Sequence, residues 1–301
     1  MTRRPPARAP RLRLDELLVA RGLAASRAEA SRLILGGRVR LAGGATAKPG
    51  LRLPGDAALE LVAAAPYVSR GGEKLAEALA AFGLDVAGRV CLDVGASTGG
   101  FTDCLLAAGA RRVYAVDVGR GQLHARLRAD PRVVLLEGVN ARYLTPAALP
   151  ERPSLATVDV AFISVAMVLG PVAACLADAA EIVALVKPQF EVGRGQVGKG
   201  GVVRAPALHR AVLRRVAQDA AEQGLRVLGL VPSPLRGPKG NREFFLLLRT
   251  AGAGPPALDA AALEAAVESA VGEGSVGAGE PAGSCAGPPP RGDALPREAT
   301  G

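Results

Sequence analysis

Between Ser69 and Thr250 the chain carries seven short apolar runs: RVCLDVG, RRVYAVDVG, RVVLLEG, LATVDVAFISV, EIVALVKPQF, RVLGLV and EFFLLLR. Helical stretches separate most of them. Strands this uniformly apolar are buried on both faces, and alternation with helices makes successive strands parallel, because each crossover returns the chain to the same end of the sheet. Leu75, Leu79 and Phe82 mark one face of a helix ahead of the first run, and FTDCLLAAGA and ALHRAVLRRVAQDAAEQG supply two more. The last two runs are joined by PSPLRGPKGNR, which has no helical pattern, so the final strand is expected to return antiparallel. The pattern predicts a seven-stranded α/β domain over residues 71–250.

A smaller unit precedes it over residues 11–63. Leu14, Leu17 and Leu18 share a helical face that Gly22 can close, and Ser26 with Glu29 has capping-box spacing for a second helix. That helix is expected to turn Ala28, Ala30, Leu33 and Ile34 inward and to end at Gly36-Gly37. Short strands should follow at 39–41 and 59–62, with the turn-rich GGATAKPG between them. The RLDELL start, the Ser26-Arg27 cap, the glycine before the strand and the Lys48-Pro49-Gly50 turn resemble the S4 RNA-binding domain, a small α+β fold. The resemblance implies an RNA-facing side made of Arg13, Arg27, Arg32, Arg38, Arg40 and Lys48. Residues 1–10, rich in Arg and Pro, read as a disordered basic arm, and AAAPYVSRGG places a short articulated linker at 64–70. Residues 251–301, largely Ala, Gly, Pro and Glu, read as a disordered tail with a brief helix near 263–271.

The chain carries a formal charge of +9, which favours polyanionic partners because neutralising phosphates releases counterions. Its four cysteines, Cys91, Cys104, Cys175 and Cys285, form no CxxC pair, and only His124 and His209 could join them, so no metal site is expected. Thiols without evident partners fit a cytoplasmic protein. No run is long and apolar enough for a signal peptide or a membrane span. A monomer is expected.

LDVGASTGGFTDCLL directly follows the first strand of the large domain. Gly95, Gly99 and Gly100 let the backbone turn sharply and approach a ligand, and the helix opening near Phe101 directs its amides at that ligand. The spacing is neither GxGxxG nor a GK[ST] phosphate loop, which disfavours a dinucleotide or ATP. Asp117, at the end of the next strand in VYAVDVGRGQL, can accept two ribose hydroxyls. Asp93 can orient the loop or meet a positively charged end of the ligand. A glycine loop, a strand-end acid and seven strands resemble the Rossmann-like class I methyltransferases. That resemblance implies S-adenosylmethionine, held by Asp93, Gly95, Ala96, Ser97, Thr98, Gly99, Gly100, Phe101, Asp117, Val118, Asn140 and Asp159.

Four further residues stand where a parallel sheet presents its ligand edge. Asp159 ends the fourth strand in TVDVAFIS, Lys187 ends the fifth in LVKPQFE, Glu243 opens the last in KGNREFF, and Lys74 lies on the entering helix in SRGGEKL. A ribose 2′-hydroxyl is a poor nucleophile, and a buried lysine held by carboxylates can position it and help remove its proton. These motifs together resemble the FtsJ-like ribose 2′-O-methyltransferases with a Lys-Asp-Lys-Glu tetrad. The S4 segment narrows the resemblance to the TlyA family, also called hemolysin A. It implies methylation of cytidine 2′-hydroxyls in 16S or 23S ribosomal RNA, on ribosomal subunits or their RNA. Lys187 would be the base-like residue, Lys74 would position the nucleotide, and Asp159 and Glu243 would orient the lysines. The chain departs from the family at Ala161, where relatives carry Ser, and at Val139 before Asn140, where they carry Thr. EVGRGQVGKGGVVR is expected to form a mobile loop beside the site, offering Arg194, Lys199 and Arg204 to phosphates, with an inert surface loop as the alternative; Arg70 is a further RNA contact. Two other functions remain open at this level: an RNA-binding assembly factor without turnover, and a haemolysin.

Overall fold

The computed structural model describes residues 11–35, 38–42, 47–61, 66–193 and 195–272. Its first unit comprises β1 (Arg11–Arg13), α1 (Leu14–Ala20), α2 (Arg27–Leu35), β2 (Val39–Leu41), β3 (Arg52–Pro54) and β4 (Leu59–Leu61). β1 pairs with β3 and β2 with β4, both antiparallel. The capping box forms, since Glu29 N–H donates to Ser26 Oγ at 3.2 Å, and the Glu29 carboxylate accepts from Ala25 N–H at 2.8 Å. Gly22, with φ of +69°, turns the chain out of α1. Leu14, Leu18, Ala30, Ile34, Val39 and Leu41 close a small core. Ala28, expected inside, is exposed, because the helix phase that buries Ala30 and Ile34 carries it outward. β1 and β3 were not expected, as neither shows alternation long enough to read.

The second unit begins with α3 (Arg70–Phe82), capped by Ser69, whose Oγ accepts from Gly71 N–H, and closed by Gly83. There follow β5 (Val90–Val94), α4 (Gly100–Ala107), β6 (Arg112–Asp117), α5 (Ala125–Arg128), β7 (Val133–Glu137), β8 (Leu155–Val158), α6 (Ala166–Cys175), β9 (Glu181–Val186), α7 (Pro188–Glu191), α8 (Pro206–Glu222), β10 (Arg226–Pro232), β11 (Phe244–Arg249) and α9 (Ala260–Gly272). The seven strands make one sheet in the order β10-β11-β9-β8-β5-β6-β7, with β11 antiparallel to both neighbours. All seven apolar runs are strands, and the antiparallel return lies where the helix-free connection puts it. Alternate residues of each strand feed two apolar layers. Leu92, Ile182, Phe244 and Leu246 face α6, α8 and α9, while Cys91, Val183, Phe245 and Leu247 face α3, α4 and α5. The chain leaves β5 for β6 on one side and later returns to β8 on the other, so a crevice opens beyond the carboxyl ends of β5 and β8.

Of the expected tail, the brief helix near 263–271 forms, but the disorder expected around it needs correction. Residues 251–272 are part of the second unit: α9 lies on α8 and β10, and Val267, Ala270 and Val271 are buried in the first apolar layer. Glu264 and Glu268 pair with Arg214 and Arg210 of α8, and Arg242 donates to the carbonyls of Ala270 and Val271. Residues 1–10 and 273–301, expected to be disordered, lie outside the described residues. Of the expected linker, 66–69 run into α3 with Val68 N–H donating to Asp103, and Arg70 is already helical. Val267 is fully buried, so Val267→Ala should lower stability by about 2 kcal/mol. Urea denaturation of the full chain measures this, and an unchanged midpoint would mean that α9 adds nothing to the core.

Candidate active site

Beyond β5 the chain turns through Gly95, whose φ is +84°. A side-chain carbon there would come within 2.4 Å of the Asp159 carbonyl oxygen, so only glycine lets the two strand ends approach this closely. Ser97 follows in a left-handed conformation and donates its N–H to Asp117 at 2.7 Å. The other oxygen of Asp117 accepts from Gly119 N–H, also at 2.7 Å. The end of β6 thereby fixes the loop after β5. A cavity of about 410 Å³ lies over this junction, walled by Gly95, Ser97, Asp117, Val118, Asn140 and Asp159 among others. Ala96, Thr98, Gly100 and Phe101 instead line a second cavity, of about 500 Å³, on the far side of the loop.

Two of the residues expected to touch the cofactor line neither cavity. Gly99 packs toward Leu123 and Leu127. Asp93 is fully buried, with its two oxygens accepting from Thr102 Oγ1 at 2.6 Å and Thr157 Oγ1 at 3.0 Å. Of the two roles open to Asp93, orienting the loop is the one its position allows, since it ties α4 and β8 to the strand between them. Burial pushes its carboxyl up to about 6, against the pull of the two hydroxyls, and the nearby Asp159 adds to the rise.

The four residues singled out at the sheet edge come together as two ion pairs. Lys74 Nζ lies 2.5 Å from Glu243 Oε2, with Lys74 only 8% and Glu243 3% exposed. Lys187 Nζ lies 2.5 Å from Asp159 Oδ1, without the angles of a hydrogen bond. Strand register explains the assembly. Phe244 stands opposite Val186, so the residues one step further out, Glu243 and Lys187, reach the same edge. Gly237 makes room for the Glu243 carboxylate, as a side chain there would come within 2.4 Å of its Oε1. All four residues line the second cavity.

A third cavity, of about 420 Å³, opens on the other side of Lys187 and Glu243. It shows what sequence reasoning missed. Phe162 is 87% exposed with φ of +66°, and its ring centroid lies 5.1 Å from that of Phe190. Lys187 Nζ is 5.9 Å from the Phe190 ring. The available signal was an aromatic residue just past a strand end, in a chain with only 3% aromatic residues. Asn241, also missed, is buried and bridges two elements: its Oδ1 accepts from Val203 N–H and its Nδ2 donates to the Gly201 carbonyl, both at 2.9 Å.

The expected RNA contacts are spread out. Arg13 and Arg27 both pair with the buried Asp15 and, chiefly through Arg13, hold its carboxyl down to about 2. They therefore serve the first unit's interior as well as its surface. Arg32, Arg40 and Lys48 are exposed, and Arg38 is half-buried. Arg70 lines the second cavity and donates to the Arg236 carbonyl at 3.0 Å. Lys199 and Arg204 are exposed but line none of the three cavities, and Arg194 lies outside the described residues. The loop expected to move is pinned at its far end, where Asn241 holds Gly201 and Val203 and the buried His209 ring contacts the Val203 carbonyl at 3.0 Å.

A family model for FtsJ-like methyltransferases matches residues 67–250, and one for the S4 domain matches residues 12–57. The chain is 52% identical over 258 residues to the 16S/23S rRNA (cytidine-2′-O)-methyltransferase TlyA of Mycobacterium tuberculosis, covering 85% of this chain and 96% of the relative. Hemolysin A of Brachyspira hyodysenteriae is 40% identical over 234 residues, covering 77% of this chain and 98% of that one. A solved structure from Streptococcus thermophilus that carries the name hemolysin is 42% identical, with a TM-score of 0.67, covering 88% of this chain and 97% of the other.

Asp93 gives the site a pH signature. In the unfolded chain its carboxyl titrates near the ordinary aspartate value of 3.8, whereas the folded chain holds the proton until about pH 6. Between those values the folded state binds more protons, so this group's contribution to stability is present at low pH and is lost as the pH rises from about 4 to about 6. The loss is about 3 kcal/mol. Asp93→Asn carries no such titration, so its denaturation midpoint should gain on that of the unsubstituted chain across this window. Parallel pH profiles of the two midpoints would show that the folded state does not bind this proton more tightly.

Proposed function

The chain belongs to the FtsJ-like methyltransferase family, and from that premise we propose that it methylates the 2′-hydroxyl of a cytidine in ribosomal RNA with S-adenosylmethionine as donor. The observation that carries this reading is the Lys187–Asp159 pair, which stands where the three cavities meet. A donor set fitting S-adenosylmethionine supports the cofactor. Asp117 is a carboxylate suited to a ribose diol, Val118, Val139 and Ile163 offer apolar wall to a purine, and Asp159 lies on the side where a sulfonium would gain from negative charge. Bound there, the cofactor supplies a methyl group that is already electrophilic.

The protein's task is then to position one oxygen and remove one proton. Asp159 orients Lys187, whose Nζ, after yielding a proton to solvent, takes the hydroxyl proton as the oxygen becomes an ether. Lys74, fixed by Glu243, borders the same space and holds the ribose against Lys187. Phe162, with Phe190 behind it, offers an exposed ring to a base drawn out of its stack. The S4 unit supplies exposed Arg32, Arg40 and Lys48 as a separate hold on RNA. The setting is the cytoplasm, where ribosomal subunits assemble. Among the described residues no helix is long and apolar enough to cross a membrane, and nothing in the site calls for the haemolysin activity that some relatives' names suggest.

Labelled methyl transfer from S-adenosylmethionine to purified ribosomal subunits lacking ribose methylation tests the proposal. Label is expected at a 2′-oxygen, and Lys187→Ala should reduce transfer by about 100-fold or more while RNA and cofactor binding persist. Absence of label on subunits and on free ribosomal RNA, from protein that binds the cofactor, would favour an assembly factor that binds without turnover. Full activity of Lys187→Ala would remove that residue from the chemistry.

A further inference from the structure

Resting on that reading, we propose that the second cavity takes the phosphodiester on the 3′ side of the target ribose, gripped by Arg236 together with Arg70. Ribose connectivity supplies the first half of the case. The 2′- and 3′-oxygens sit on adjacent carbons, so a 2′-hydroxyl at Lys187 brings the 3′ phosphate into a space that borders the same lysine. Three cavities meet at the Lys187–Asp159 pair. One is the cofactor cavity, floored by Asp117 and Asp159. Another is walled by Phe162, Phe190, Val197 and Pro238, an apolar and aromatic lining that suits a base, and its cations are the lysines Lys187 and Lys239 with no guanidinium fork among them. The second cavity alone of the three is lined by two guanidinium groups, those of Arg70 and Arg236.

Charge completes the case. The second cavity is lined by four cations, Lys74, Lys187, Arg70 and Arg236, against two carboxylates, Asp159 and Glu243, an excess of two. Both carboxylates are already in contact with the lysines. Among the described residues neither Arg70 nor Arg236 makes an ion pair. Instead Arg236 donates to the Gly240 carbonyl at 3.2 Å, and its own carbonyl accepts from Arg70 at 3.0 Å. The two guanidiniums rise from opposite lips, the first turn of α3 and the loop between β10 and β11, and that hydrogen bond ties the lips together. Planar forks held in this way match a phosphate better than a lysine ammonium does.

The test is methyl transfer to ribosomal RNA by the full-length chain over a series of potassium chloride concentrations, for Arg236→Ala and Arg236→Lys. Arg236→Ala should raise KM for RNA about tenfold, leave cofactor affinity unchanged and flatten the plot of log KM against log salt by about 0.7 to 0.9, the share of one phosphate contact. Arg236→Lys should keep the salt slope and recover only part of the affinity. A wild-type KM and slope in Arg236→Ala would overturn the proposal, as would a fall in kcat alone. If the unsubstituted chain transfers no methyl group to RNA, the methylation reading fails separately. Filter binding of the same RNA then decides whether Arg236 holds a phosphate: a flatter salt slope in Arg236→Ala supports it, and an unchanged slope overturns it.

Discussion

The site depends on the Lys74–Glu243 contact, an ion pair drawn from positions 169 residues apart and almost closed to water. Taking either charge out of water alone would cost several kcal/mol, and leaving one partner unpaired in place is strongly destabilising. The pair is therefore tolerable only if the fold delivers both members together. β11 does this by inserting between β9 and β10 in a register that sets Glu243 beside Lys187, while Ser69 caps the helix that carries Lys74. Gly237 leaves the carboxylate its room. A strand added to the outer edge of the sheet, in place of this insertion, would leave Glu243 away from both lysines.

Three carboxylates stand at neighbouring strand ends, Asp93 in β5, Asp117 at the close of β6 and Asp159 after β8. Unmanaged, they would repel one another. Each is given a different kind of donor: threonine hydroxyls for Asp93, backbone amides for Asp117 and the Lys187 ammonium for Asp159. The difference sorts their roles. Asp93 is enclosed and acts as a structural tie whose own charge burial opposes, whereas Asp117 and Asp159 keep a side open to the crevice. A carboxylate has more lone pairs than the one donor each oxygen meets here, so Asp117 can hold its loop and a ligand at once.

Much of this was legible in the chain. The seven strands follow from uniformly apolar runs, because burial on both faces leaves no polar alternation to confuse the pattern, and Asp159, Lys187 and Glu243 could be placed because strand ends fix the ligand edge, whereas Lys74, on a helix, came from the resemblance to the tetrad. Less legible was whatever depends on side-chain direction. Asp93 lies in the glycine-loop motif, yet strand alternation turns it into the sheet toward Thr102 and Thr157. Arg13 and Arg27 look like a solvated basic face, yet a buried aspartate claims both. The helix at 260–272 is legible as a brief element near 263–271, but its docking is hidden, since an alanine-rich segment next to Gly and Pro reads as low complexity until α8 is there to receive Val267 and Val271. The insertion of β11 between β9 and β10 leaves no local mark, because strand order is a property of the whole sheet.

Chain order also divides the labour of the site. The walls of the proposed cofactor cavity come from β5 through the segment after β8, whereas much of the aromatic cavity comes from after β9, with Phe190, Val197 and the loop between β10 and β11. The two ion pairs are the stitches between these halves, Lys74 to Glu243 and Asp159 to Lys187, each joining an earlier element to a later one. Asn241 extends the later half by holding Gly201 and Val203 only two residues before Glu243. A shift of the loop that borders the aromatic cavity would consequently pull on Glu243, and through it on Lys74. The groups that would grip a nucleotide and those that would deprotonate it are thus mechanically one unit, so the reaction geometry is complete only when both halves of the crevice are in register.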